Sequence, residues 1–118
     1  MRVTPPTTIA APNGDEFDII PRTTGITREA LRTLARKNIR VNASTAMLDE
    51  GIDLQMELTR AVLKEWRIQE GDGFTVASKS DIEELILNRA KVVKWINKKS
   101  DELAEAGDKE FDAELGNS

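Results

Sequence analysis

The chain has no cysteine, no histidine and no tyrosine among its 118 residues, and only 4% of its residues are aromatic. Without cysteine there is neither a disulfide nor a thiol nucleophile. Without histidine the usual proton shuttle near neutral pH and the commonest transition-metal ligand are both missing. No apolar run approaches the roughly 18 residues that a membrane span requires. Met1 to Gly14 lacks the basic start and apolar block of a secretory signal. The expectation is a single cytoplasmic domain, non-enzymatic and without cofactor or metal.

What the chain does carry is charge, unevenly placed. Lys and Arg number 17 and Asp and Glu 21, a net charge of -4. Residues 101–118 hold seven acids against Lys109 alone, so this end carries -6 and leaves +2 on residues 1–100. With only Phe111 and Leu115 as apolar anchors late in that stretch, burial there cannot offset the entropy of ordering. The reading is a mainly α (α+β) fold, in which a small N-terminal β-hairpin segment (1–22) packs on a core of three to four helices (23–106). A flexible, disordered acidic tail (107–118) follows.

The hairpin rests on Pro12-Asn13-Gly14-Asp15, whose Asn-Gly pair supplies the positive φ angles of a tight turn between Thr7–Ala11 and Glu16–Ile20. Two strands are marginal alone, so the hairpin must lie on the helices or join a sheet in another subunit. Thr27 is the expected cap of the first helix, with Leu31, Leu34 and Asn38 inward. Arg28, Arg32, Arg36 and Arg40 form a row on its outer arc, the one basic stripe of the chain.

A long helix is expected from about Ser44 to Trp66, apolar over more than half its circumference and therefore covered from two sides. Gly71-Asp72-Gly73 then reverses the chain, Phe74 and Val76 form a short extended piece, and Ser80-Asp81-Ile82-Glu83 has capping-box spacing. Ile82, Leu85, Ile86, Val92, Val93, Ile96 and Leu103 follow as one apolar stripe. Leu87 and Trp95 fall off it, and Trp95 lies among Lys91, Lys94 and Lys98.

Each candidate for chemistry has a plainer reading. Asp49, Asp53 and Glu57 recur at helical spacing but lack the histidine or facing ligands of a metal site, so they read as a solvated face. The Glu70 to Gly73 loop has neither calcium-loop spacing nor a phosphate-loop lysine. Ser78 and Ser80 have no histidine to activate them and read as helix caps. The arginine row is able to meet phosphates, yet the acidic isoelectric point of about 4.9 makes nucleic acid the weakest partner. The protein-binding candidates are Leu54, Leu58, Trp66, Leu87 and Trp95, with Arg28 to Arg40 as a charged contact stripe.

The arrangement resembles the tail assembly chaperones of long-tailed bacteriophages. The resemblance is carried by "NGDEFDII", the basic first helix, "VLKEWRIQEGDGFTV", and the restart "SKSDIEELI" leading to "VVKWINKKSDEL". It spans most of residues 10–105. It implies a chaperone that binds the helical tape-measure protein, promotes polymerisation of the tail-tube protein around it, and leaves before the virion matures. Such a protein works in the cytoplasm of the bacterial host, as a possible homo-oligomer; many of the family also occur in a longer, frameshifted form. Two alternatives stand beside it: a small structural subunit of head-to-tail connector type, which would stay in the particle, and a small nucleic-acid-binding regulator using the arginine row.

Overall fold

The computed structural model describes residues 5–37 and 51–116. Their order is β1 (Thr7–Ala10), β2 (Glu16–Ile19), α1 (Thr24–Arg36), α2 (Ile52–Val62), β3 (Leu63–Glu70), β4 (Gly73–Val76), α3 (Lys79–Asn88) and α4 (Ala90–Gly116). The strands form one antiparallel sheet in the order β1-β2-β3-β4, which makes the fold α+β.

The hairpin forms where the turn residues put it. Gly14 adopts φ +94°, and the strands pair from Thr7↔Ile19 to Ala10↔Glu16. Its open side is taken up within the same chain, since β2 pairs with β3 from Glu16↔Arg67 to Ile19↔Leu63. The sheet therefore has four strands where the sequence pattern had given a two-stranded hairpin and one short extended piece at Phe74 and Val76.

The long helix expected to reach Trp66 ends at Val62, and Trp66 lies in the middle of a strand. The reason is a bulge. Asp18 pairs with Glu65 while Ile19 pairs with Leu63, which leaves Lys64 as an extra residue. A bulge shifts the side-chain alternation by one, so Leu63 and Trp66 share the inner face although they are three apart. That spacing is what a helix would show, and sheet pairing with β2 overrides the local signal. The expected start of this helix, from Ser44, falls outside the described residues.

Two further boundaries move. Helix α1 is capped by Thr23, whose Oγ1 accepts from the Ile26 N–H at 3.1 Å; Thr27 lies in the first turn and its Oγ1 accepts from Arg22 Nε at 2.9 Å. Helix α3 starts with a capping box two residues earlier than expected, at Ser78 and not Ser80: Ser78 Oγ accepts from the Asp81 N–H, and the Asp81 carboxylate accepts from the Ser78 N–H, both at 3.1 Å. The acidic segment read above as a flexible tail instead carries α4 to Gly116. Its alanines, glutamates and lysine are strong helix formers, although Phe111 remains 62% exposed.

The interior has two clusters. Phe17, Ile19, Val62, Leu63, Leu85, Ile86, Val93 and Ile96 join the inner face of the sheet to α3 and α4. Ala30, Leu34, Leu54 and Leu58 join α1 to α2. Asn97 on α4 donates to Thr59 Oγ1 at 3.1 Å and to the Gln55 carbonyl at 3.0 Å on α2. Ser100 Oγ donates to the Ile20 carbonyl at 2.8 Å, fixing α4 to the end of the hairpin. No helix among the described residues is long and apolar enough to cross a membrane.

Candidate binding groove

Alternation places Phe17 on the inner face of β2 and Trp66 opposite it on β3. Their rings stack with centroids 6.0 Å apart and an interplanar angle of 6°. Trp95, from α4, meets Phe17 edge-on, with centroids 5.9 Å apart at 63°. Both tryptophans of the chain therefore gather round one phenylalanine, and between the sheet and the α3–α4 corner a groove of about 660 Å³ remains open above them. That size suits a side-chain cluster or a small ligand.

The first wall of the groove is the turn from Ala11 to Asp15. Asp15 is buried, and three donors account for its carboxylate. Trp66 Nε1–H donates to Oδ2 at 3.1 Å, Asn13 Nδ2 to Oδ2 at 3.2 Å, and the Gln69 N–H to Oδ1 at 3.0 Å. These bonds lock the turn against β3 and fix the indole plane. The turn itself needs glycine: a Cβ on Gly14 would stand 1.7 Å from Gln69 Oε1 as well as on a left-handed backbone.

The other wall is one stripe of α3 and the start of α4. Leu85 and Val92 add apolar surface, while Asp81 and Glu84 give way along the wall to Asn88, Arg89 and Lys91. The rim thus changes from acidic to basic along its length. What the arrangement offers is aromatic and apolar area ringed by charge of both signs, a surface suited to holding another chain.

The outer face of the same sheet is finished differently. Arg67 donates in bidentate fashion to Asp18, Nη1 to Oδ2 at 2.8 Å and Nη2 to Oδ1 at 2.7 Å, and through Nε to Glu16 at 3.2 Å; it also pairs with Glu65. Thr8 Oγ1 adds a 2.6 Å bond to Asp18. Hydrogen bonds from Arg67 and Thr8 hold the Asp18 carboxyl down at about 2, below the ordinary 3.8. Its hydrogen bonds to Asp18, Glu65 and Glu16 raise the Arg67 guanidinium above its usual range.

The five sequence-derived contact candidates separate in space. Trp66 and Trp95 are brought together in the groove. Leu54 and Leu58 are fully buried at 0% exposure, so they hold α2 against α1 and present nothing to a partner. The wide apolar arc of that helix is covered by α1 on one side and by α4 on the other. Leu87 is 58% exposed but lies outside the groove. On α1, Arg32 and Arg36 both reach Glu29, at 3.3 and 3.5 Å, and Arg28 is exposed; Arg40 lies outside the described residues. Of the acids considered as a metal face, Glu57 accepts from Lys37 at 2.8 Å and from Arg60 at 2.7 Å, and Asp49 is outside the described residues.

Sequence reading missed Phe17 as a floor residue and the turn as a wall. The available signal was Asn13-Gly14-Asp15 itself, since an acid directly after a tight turn is well placed to accept from the neighbouring strand. The chain matches no protein-family model, no curated protein and no solved structure.

Proposed function

We propose that this chain is a non-enzymatic tail assembly chaperone of a long-tailed bacteriophage, and that it holds a helical segment of the tape-measure protein in the groove above Phe17, Trp66 and Trp95. One observation carries the reading: both tryptophans converge on a single open apolar groove whose rim bears charges of both signs. An amphipathic helix docks in such a groove through large apolar side chains one turn apart, with its flanking charges meeting the rim. Aromatic anchors at the centre of the contact supply most of the affinity. In this reading the protein acts in the host cytoplasm beside the tail-tube protein and is absent from the finished virion.

Co-expression with a tape-measure fragment tests the proposal. Trp95→Ala should keep the far-ultraviolet circular dichroism spectrum and leave the fragment insoluble. Leu87→Ala, outside the groove, should leave the fragment in solution as the native chain does. Unchanged client solubility with a folded Trp95→Ala protein would remove the groove from the account.

A further inference from the structure

The two edges of the sheet are unlike. The β1 edge is guarded by proline, with Pro5 and Pro6 just before the strand and Pro12 just after it. Proline is one of the devices that keep an edge from pairing with another chain. The β4 edge, Gly73-Phe74-Thr75-Val76, has no proline, no charge and no bulge. Its Phe74 and Val76 are 48% and 57% exposed, and no strand among the described residues pairs with its far side.

The hydrogen-bond phase of β4 follows from the contacts. The Ala77 N–H donates to the Trp66 carbonyl at 2.8 Å, and β3 and β4 pair as Ile68↔Thr75 and Glu70↔Gly73. Bonding alternates along an antiparallel ladder. Gly73, Thr75 and Ala77 therefore point their N–H and C=O groups at β3, while those of Phe74 and Val76 point outward.

We propose that β4 is a self-association edge, at which a second copy of this chain pairs antiparallel about a two-fold axis through Thr75. In that register Phe74 of each copy faces Val76 of the other. All four outward N–H groups then find outward carbonyls, so two four-stranded sheets become one of eight. The same register makes two aromatic–β-branched cross-strand pairs on the outer face. Charge selects the antiparallel sense. Asp72 precedes the strand and Lys79 follows it; both are exposed, and neither makes an ion pair among the described residues. Antiparallel pairing sets Asp72 of one copy beside Ser78 and Lys79 of the other, whereas parallel pairing would set like against like. The contact is isologous and closes at two copies. It leaves the groove open, because Thr75 marks the groove-side face of the strand and the new strand extends the sheet sideways.

The chain lacks cysteine, which permits a direct test. Residues facing each other across the axis form a non-hydrogen-bonded pair, the closest approach in an antiparallel ladder. A lone cysteine in Thr75→Cys should oxidise to a disulfide-linked dimer, while Gly73→Cys, displaced along the strand from its counterpart, should form no disulfide under the same oxidant. Sedimentation of the native chain over a concentration series should show the mass rising from 13.1 kDa toward twice that value. Val76→Pro removes an outward N–H without touching the β3 ladder, and Val76→Lys places a charge on the edge; each should hold the mass at the monomer value. A native chain that stays monomeric throughout, or a dimer that persists in both Val76 variants, overturns the proposal. So does equal crosslinking of the two cysteine variants. A monomer whose binding of a tape-measure fragment is lost in Val76→Lys would assign the edge to a client strand instead, which equally overturns self-pairing.

Discussion

The two faces of the sheet are made from alternate residues of the same strands, yet over β2 and β3 the outer one is complete and the inner one is not. On the outer face, Glu16, Asp18 and Glu65 converge on Arg67, so these charges find their partners within the chain. On the inner face, Phe17 and Trp66 need a second layer, and α3 and α4 cover only part of them before the groove opens. Ion pairs are local and saturate with a few neighbours. Apolar area is satisfied only by more apolar area. A face that closes on itself offers a partner little, whereas a half-covered aromatic face retains area for one.

The sharpest way to break that contrast is to fill the bulge that sets the faces. Inserting an alanine between Asp18 and Ile19, opposite Lys64, gives the extra residue a partner and abolishes the bulge, so Ile19 and Leu63 must turn to the charged side while Lys64 turns inward. The expected result is loss of the cooperative thermal transition by circular dichroism. Lys64→Ala, at an exposed position, should change stability by less than about 0.5 kcal/mol. An insertion variant that melts like the native chain would mean that the bulge does not set the faces.

A smaller effect is expected on the outer face. A carboxyl whose folded value lies below its ordinary one contributes stability that is present above the ordinary value and lost as pH falls through the folded one. For Asp18 that window runs from 3.8 down to about 2. Arg67→Met should lower the urea midpoint at neutral pH and flatten the decline across the window, because the donor that depresses Asp18 is gone. An unchanged slope would place the acid sensitivity elsewhere, with Glu83 the next group to test, since its carboxyl is lowered by hydrogen bonds from Arg60.

The hairpin, the Gly71–Gly73 reversal and the α3–α4 stripe were legible in the sequence because each depends on signals within a few residues. Turn glycines and caps are local chemistry, and the stripe repeats at helical spacing. Trp66 was not legible as a strand residue, because the Lys64 bulge gives Leu63 and Trp66 a helical spacing and only the pairing of β3 with β2 decides between the two. Leu54 and Leu58 looked available for a partner because their helix is apolar over a wide arc. What covers that arc is α1 and α4, a long-range fact. Trp95 was singled out for failing to fit its own helix stripe, and it lies in the groove; the phenylalanine it meets comes from a strand 78 positions earlier in the chain.

Tryptophan emission gives the most direct test of the central claim, that the groove is where a helical client is held. The chain has two tryptophans and both line the groove, so its intrinsic fluorescence reports that site alone. Titration with a tryptophan-free helical tape-measure fragment should shift the emission to shorter wavelength and saturate at the midpoint found by calorimetry. Calorimetric binding with no change in emission would contradict the account, because the client would then occupy a surface that neither tryptophan touches.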